Sequence, residues 1–325
     1  MNSLQLEIDS EILSEYGLRV SELTLGKANH FFGRALAIRN DQEFKDILAA
    51  CLLILKRRSL KKSLERTVNG PNMNPRNPGT ANDSVISTRK SVRTELYQKY
   101  PEVSHMNSVL NDLFFLKKYG LDKTFDLWKP LFEHAAQRHE TVQYLSPEVL
   151  RGDSSFSVNS VFYLKHLGIV DLTPSLVDGL RSAFHDFDSE GMDDPEYTSM
   201  IYALTHVVIA ASRYYEITAP EYAWASEYFT NHLDEISERV SLDVLSEVAL
   251  SYRITETESR FESACERLCS DLISRSPFKK KRLSAEELNQ QEHTNSILML
   301  LFSDTDSFLP PPDLSSHPLF ANKVI

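Results

Sequence analysis

The residues whose types and spacing come nearest to chemistry lie in AFHDFDSEGMDDPEYTSMIYALTHVV, at 183–208. Its acidic half has the oxygen-rich composition of a calcium-binding loop, because Asp186, Asp188 and Glu190 occupy the first, third and fifth ligand positions. The twelfth position should hold a glutamate that binds calcium through both oxygens, but it is Tyr197. We therefore expect an acidic surface turn rather than a calcium site.

Two further arrangements suggest metal ligands. His185-Asp186 matches the dyad of HD-type metallophosphohydrolases, which also need a histidine and an aspartate on neighbouring helices; the available residues are His139, His166 and Asp234. Cys265 and Cys269 stand four residues apart, but no second Cys or His pair stands nearby at a zinc-ligand spacing. Because phosphate-binding glycine loops and nucleophile motifs are absent from the sequence too, we predict no bound metal and no cofactor.

The apolar half of the same segment carries a single histidine, His206, in a predicted buried helix. Such a histidine is most often a core residue that is hydrogen-bonded to a neighbour, here Tyr202 one turn earlier. The alternative is a ligand-binding cavity in which His206 and Glu292 act as an acid–base pair and Arg213 holds a carboxylate. The sequence leaves both interpretations open.

Several other predicted apolar helices likewise carry polar residues in a line along one face. An unpaired buried polar group costs about 1–3 kcal/mol, so each line must face either a partner or a wet cavity. The candidate binding residues on these lines are Tyr202, His206, Arg213, Asn107, Asn159, Tyr163, His293 and Asn295.

The elements that must position these residues are helices, because the chain has only 10 glycines and little β-type alternation. The tetrads NSVL, NSVF and NSIL begin at 107, 159 and 295, and looser versions, THVV and SEVA, begin at 205 and 246. Their mean spacing of about 47 residues is typical of one helical hairpin. We therefore predict an all-α fold of five to six hairpins, an α/α toroid, with a HEAT-like α-solenoid as the alternative.

Two sequence signals mark the ends of helices. FFLKKYGL (114–121) and FYLKHLGI (162–169) share a pattern that ends in a glycine cap. Asp194-Pro195-Glu196 predicts a helix start with Asp194 as the N-cap, and Ser284 with Glu287 predicts a capping box.

Composition predicts the domain boundaries. Segment 69–87 is rich in proline and asparagine, which predicts a linker between an N-terminal helical segment, 1–68, and a repeat body, 88–305. Proline also predicts an extended tail at 306–325.

Charge and hydropathy restrict the partners and the location. Residues 171–250 hold 16 acidic residues against 3 arginines, which disfavours nucleic acid at the acidic body. No apolar run reaches the roughly 18 residues of a membrane span, and the polar N-terminus does not look like a signal peptide. We expect a cytoplasmic protein that does not enter the membrane.

YALTHVVIAASRYYE (202–216), followed by EHTNSILMLL (292–301), resembles an uncharacterised bacterial family of helical proteins, a domain of unknown function. The resemblance covers about 155–303. It implies a helical fold whose centre holds the corresponding residues, Thr205, His206, Tyr214 and Tyr215.

Two classes of function fit these observations. The first is a helical-repeat interaction protein that binds a protein or peptide partner through its central or concave surface. The second is a toroid-cavity lyase or hydrolase that acts on a carbohydrate or a small anionic molecule. Because no complete catalytic constellation is evident in the sequence, we predict the first, and a protein or peptide partner before a small molecule.

Overall fold

The computed structural model describes residues 3–69, 88–124, 129–130, 133, 140–275, 283–305 and 307–321. Regular structure in this part of the chain is helical, and no strand occurs in it. The predicted all-α class is therefore confirmed. The predicted linker at 69–87 begins at the last residue of a helix and otherwise lies outside the described residues, as does His139.

The described residues form fifteen α-helices: α1 (Ser3–Leu18), α2 (Leu25–Ala35), α3 (Gln42–Asn69), α4 (Thr88–Lys99), α5 (Pro101–Lys118), α6 (Pro147–Gly152), α7 (Ser154–His166), α8 (Thr173–Ala183), α9 (Asp194–Ala211), α10 (Ala223–Asn231), α11 (Leu233–Arg239), α12 (Leu242–Ile254), α13 (Glu262–Arg275), α14 (Ala285–Gln290) and α15 (Glu292–Phe302). Short 3-10 helices span Val20–Glu22, Asp122–Thr124, Glu140–Leu145, His185–Phe187 and Pro220–Tyr222. None of these helices is long and apolar enough to cross a membrane.

Packing divides the chain into two compact units. The first unit combines residues 1–55 with 207–324, and the second comprises 56–206 with 325. The division falls within α3 and within α9, between His206 and Val207. The first helices of the chain thus belong with its C-terminal half, a grouping that no local sequence pattern indicates.

Helix α15 is the centre of the first unit. It packs against α1, α2 and α12, and α12 also contacts α13 and α10. An apolar run, Ile297–Leu300, makes α15 buried on nearly every side. Because little of α15 reaches solvent, the polar residues of its first turns need partners inside the protein.

The C-terminal tail folds back onto the first unit. Its described part, 307–321, contains no α-helix. The backbone N–H of Leu309 donates to the carbonyl of Ala37 over 2.7 Å. Three apolar side chains fasten the tail because they are buried, namely Phe308, Leu314 and Phe320.

In the second unit, α7 packs against α5, α6 and α8. The two predicted glycine caps are confirmed, because Gly120 and Gly168 have φ angles of 72° and 71°. In each cap the following residue closes the turn: Leu121 N donates to Leu116 O over 2.8 Å, and Ile169 N donates to Leu164 O over 2.9 Å. The two sequence motifs therefore fold in the same way.

The other predicted helix signals have mixed outcomes. The Ser284–Glu287 capping box is confirmed, since both of its reciprocal hydrogen bonds are present. The Asp194 cap is wrong by one residue, because Glu196 N donates to Asp193 Oδ1 over 2.9 Å and the helix begins at Asp194. An aspartate on either side of the boundary satisfies the sequence rule, and backbone geometry decides between them.

The five tetrads all lie in α-helices. NSVL, NSVF and NSIL fall in α5, α7 and α15, and the looser THVV and SEVA fall in α9 and α12. The acidic turn lies between α8 and α9, where Asp186 and Asp188 are exposed. Arg181 Nη1 lies 3.8 Å from Asp186 Oδ1, and Asp188 Oδ1 accepts from the backbone of Glu190.

Candidate functional site

The most unusual polar residue of the first unit is Glu292, the first residue of α15. Its side chain is fully buried, and it lies 2.9 Å through Oε1 and 3.0 Å through Oε2 from His30 Nδ1. Lys27 Nζ lies 3.3 Å from Oε2. The positive end of the α15 dipole also favours an anion at this position. Glu292 is therefore a buried carboxylate held by two basic residues of α2.

Arg34 joins the same group from one turn further along α2. Its Nη1 donates to Ser296 Oγ over 2.6 Å and lies 3.2 Å from His30 Nδ1. Its Nη2 lies 3.4 Å from Nε2 of His293. Because Lys27, His30 and Arg34 are three and four residues apart, they share one face of α2 and reach α15 together.

A second histidine, His293, is held by a second buried glutamate. Its Nε2 lies 3.1 Å from Oε1 of Glu247, whose side chain is only 1% exposed. Its Nδ1 lies 3.3 Å from Oδ1 of Asp243, which also accepts from the hydroxyl of Thr294. The rings of His30 and His293 are 5.3 Å apart. We call the group the paired-histidine site; its members are Lys27, His30, Arg34, Tyr215, Asp243, Glu247, Glu292, His293 and Ser296.

A family model described as a domain of unknown function, DUF3541, matches residues 10–324. The chain belongs to the DUF3541 family. The predicted resemblance to an uncharacterised family of helical proteins is thus confirmed, over a longer stretch than 155–303. No curated protein and no solved structure shows significant similarity to the chain. The DUF3541 match includes every member of the paired-histidine site.

In this DUF3541 chain, Glu292 and His30 form a dyad whose two members have opposed electrostatic surroundings. Burial raises the pKa of Glu292, but the nearby His30, Arg34 and Lys27 outweigh it and hold that pKa below its ordinary value. Partial burial of the His30 side chain, together with the positive charges of Arg34 and Lys27, lowers the pKa of His30 in spite of Glu292. The dyad therefore consists of an ionised carboxylate and a neutral imidazole.

The contacts of His30 Nδ1 favour one tautomer of the neutral ring. The Glu292 oxygens, at 2.9 and 3.0 Å, are closer to Nδ1 than Arg34 Nη1, at 3.2 Å, which favours a proton on Nδ1. The lone pair is then on Nε2, on a side chain that is 41% exposed. A carboxylate that orients an imidazole in this way makes the other ring nitrogen available as a base.

Tyr215 approaches the site from the turn after α9. The Arg34 Cζ atom lies 5.8 Å from the centre of the Tyr215 ring. Phe308 of the tail lies on the same ring, with 5.8 Å between ring centres. Burial raises the pKa of Tyr215, against the positive charge of Arg34 and the hydrogen bond that joins the Tyr215 hydroxyl to Arg34.

Metal ligands do not cluster in the described part of the chain, where no three His, Cys, Asp or Glu side chains are arranged to hold an ion. Burial raises the pKa of Cys265 to about 12 and that of Cys269 to about 11. Both are thus thiols rather than the thiolates that bind zinc. The absence of bound metal stays a prediction from the sequence.

The predicted site residues of the second unit form side-chain hydrogen bonds between neighbouring helices. Asn107 Oδ1 accepts from Ser160 Oγ over 2.5 Å, and the hydroxyl of Tyr163 donates to Asn111 Oδ1 over 3.1 Å. These bonds join α5 to α7. His206 Nδ1 lies 2.9 Å from Asn159 Oδ1, which joins α7 to α9.

His206 and Tyr202 are neighbours, with 6.0 Å between their ring centres, and both are half-buried in a helix whose other residues from Ser199 to Ala211 are buried. The other predicted residues lie in the first unit. Arg213 is exposed and lies 3.2 Å from Glu216. Asn295 donates to the hydroxyl of Tyr16 over 3.0 Å.

The four residues predicted to share a cavity are therefore divided between the units. Tyr202 and His206 belong to the second unit, whereas Arg213 and Glu292 belong to the first, where they have different partners. Glu292 and His293 are members of the paired-histidine site, but the sequence prediction omitted the residues that complete it: Lys27, His30, Arg34, Asp243 and Glu247. For Lys27, His30 and Arg34 the sequence signal is the polar face of LGKANHFFGRA in α2, and Glu247 lies within the SEVA tetrad.

Proposed function

We propose that the paired-histidine site is an acid–base active site, and that the protein is a lyase or hydrolase of a carbohydrate or small anionic molecule. His30 is the general base. One observation carries this proposal: His30 Nδ1 lies within 3.0 Å of both oxygens of a fully buried carboxylate. Buried charge is costly to maintain, and its use here is to orient an exposed ring.

The layering of the site supports a small-molecule ligand. The glutamates are enclosed, with exposed side-chain fractions of 0% for Glu292 and 1% for Glu247. The imidazoles in front of them are partly exposed, as is Lys27. An anionic group would therefore meet the Lys27 ammonium group at the surface, with the compensating carboxylate of Glu292 behind it, which is an arrangement suited to anion recognition.

The test uses the full-length chain and a panel of acidic saccharides and hydroxy acids, with D-galacturonate and its oligomers as the first probes. Conversion is followed by proton NMR at neutral pH. We expect conversion of a panel member, and a loss of about 10²–10⁴-fold in turnover for His30→Ala, the range for removal of a general base.

His232→Ala is the matched control, because His232 is a partly exposed histidine of the same unit outside the site. It should keep the parent rate. A parent chain that converts no member of the panel, or a His30→Ala variant as active as the parent, would contradict the proposed function.

We also propose that the helices carrying the tetrads form one repeated series of hairpins. The support is the side-chain bonding in the second unit, where the tetrad residues of α5, α7 and α9 bond in order along the chain. An α/α toroid or a HEAT-like solenoid would each contain such a series, and the toroid stays our prediction. Binding of a protein or peptide partner likewise stays a prediction from the sequence.

A further inference from the structure

Arg34 lies between the two imidazoles of the paired-histidine site. Its Nη1 lies 3.2 Å from Nδ1 of His30, and its Nη2 lies 3.4 Å from Nε2 of His293. Arg34 is 9% exposed, so water screens its charge weakly from either ring. An arginine side chain does not lose its proton in proteins, which makes this charge permanent. Each imidazole therefore has a fixed cation beside it.

Neutral groups accept the hydrogen bonds of the Arg34 guanidinium. Ser296 Oγ accepts from Nη1 over 2.6 Å, and the Tyr215 hydroxyl is also hydrogen-bonded to Arg34. The Glu292 carboxylate pairs with Lys27 and His30 instead, and the described residues give Arg34 no carboxylate within ion-pair distance. Neutral acceptors hold the guanidinium in place without cancelling its charge, so this charge acts on the two rings.

The contact between Tyr215 and Arg34 depends on an unusual turn at the end of α9. Three consecutive residues have left-handed backbone, with φ angles of 55° at Arg213, 58° at Tyr214 and 70° at Tyr215. Side chains other than glycine rarely adopt this conformation, and it persists where surrounding structure enforces it. Ser212 does so here, since it is fully buried and its Oγ accepts from the backbone N–H of Tyr215 over 3.0 Å. The turn leaves Tyr215 only 4% exposed, as a fixed acceptor for Arg34.

We propose that Arg34 is a positioning residue that keeps His30 in its neutral, basic form, and that the Ser212 turn supports this role by fixing the guanidinium through Tyr215. The inference rests on the proposed function, because it concerns the base of the same site. It assigns a use to the constrained turn and to the two neutral acceptors. It also assigns to Arg34 an effect on the pH range of the reaction, which a residue that only filled space would not have.

The charged groups that face the His30 ring determine the direction of this effect. Burial and the charges of Arg34 and Lys27 lower the pKa of His30, whereas Glu292 raises it. The ring of His293 lies beyond Arg34, with 5.3 Å between the ring centres. Removal of the Arg34 charge leaves Lys27 alone to oppose Glu292, so His30 should take up a proton at higher pH. An imidazolium cannot act as the base.

The first test needs no substrate. His30 is titrated by proton–nitrogen NMR in the full chain, and its signals are assigned with His30→Gln. We expect the pKa of His30 to rise in Arg34→Met, and Arg34→Lys, which keeps the charge, to retain a neutral ring at pH 7. Tyr215→Phe should raise the pKa by less, because it removes one acceptor of the guanidinium but keeps the charge.

Two further variants make this test decisive. Arg34→Gln loses the charge but keeps an N–H donor for Ser296, and it replaces Arg34→Met if the methionine variant does not fold. Arg267→Met is the matched control, since Arg267 is 46% exposed and pairs with Asp234 outside the site. It should titrate like the parent. An unchanged His30 titration in the folded Arg34 variant that lacks the charge would overturn the inference, as would an equal rise in Arg267→Met.

The second test is the pH profile of conversion with the saccharide and hydroxy-acid panel. The acid side of the profile should move to higher pH in the chargeless Arg34 variant, where the rate falls about tenfold for every pH unit of the move, and Arg34→Lys should restore it. A parent chain that converts no panel member contradicts the proposed function. If the parent converts a member and His30→Ala does not, but the chargeless variant keeps the parent profile, the inference fails and the proposed function stands.

Discussion

Replacement of Glu292 by glutamine is expected to lower the free energy of unfolding by about 3–5 kcal/mol, the range for removal of one partner from a buried ion pair. The isosteric amide keeps the volume of the side chain and removes its charge. The three basic neighbours, Lys27, His30 and Arg34, then lose their shared anion. Urea denaturation of both proteins at neutral pH measures the difference.

The pH dependence of this difference is a second check. The pKa of Glu292 is lower in the folded chain than in the unfolded one, so its stabilisation is present above the unfolded pKa and is lost as the pH falls through the folded pKa. The gap between parent and Glu292→Gln should therefore narrow on acidification. Glu286→Gln is the control, since Glu286 is exposed and should stay within about 0.5 kcal/mol of the parent.

Replacement of Arg34 by methionine is expected to have a comparable effect, about 3–5 kcal/mol at neutral pH. Arg34 is 9% exposed, and methionine fills a similar volume without the charge or the bond to Ser296. Its loss leaves the Glu292 carboxylate with Lys27 and His30 as its remaining basic neighbours.

The double variant separates these contributions. Because Arg34 and Glu292 share His30 as a neighbour, the combined cost of Arg34→Met and Glu292→Gln should be smaller than the sum of the single costs by about 0.5–3 kcal/mol. Strictly additive costs would show that the two charges are independent. The network described here would then be wrong, even though each residue is buried.

Local features of the fold could be predicted because they depend on short stretches of chain. The glycine caps at Gly120 and Gly168 and the Ser284 capping box need only a few neighbouring residues to form. The polar lines of α5, α7 and α9 were also visible as interruptions of apolar helices. The sequence did not indicate which of these polar helix faces pack against each other.

The paired-histidine site shows why these pairings could not be predicted from the sequence. Glu292 and His293 stand out because they precede a tetrad, but His30 is 262 positions away from Glu292 in the chain. Lys27, His30 and Arg34 look like the solvated face of an amphipathic helix, which is the usual meaning of such spacing. Glu247 lies within SEVA, the least conspicuous of the five tetrads, and only the packing of α12 on α15 gives it a partner.

Tyr215 could not be assigned from its sequence either. The resemblance placed Tyr214 and Tyr215 together near the centre of the fold, without distinguishing them. The distinction comes from backbone conformation, since the left-handed turn held by Ser212 directs Tyr215 to Arg34. Glycine is the usual sequence sign of a left-handed turn, and the segment SRYY contains no glycine.

The most direct test of the acid–base site is the protonation state of His30, measured by long-range proton–nitrogen NMR of the full-length chain and assigned by comparison with His30→Gln. We predict a neutral ring at pH 7, with the proton on Nδ1 and a pKa below the ordinary value of about 6.5. A ring that is imidazolium at pH 7, or a neutral ring with its proton on Nε2, would contradict the assignment of His30 as the base.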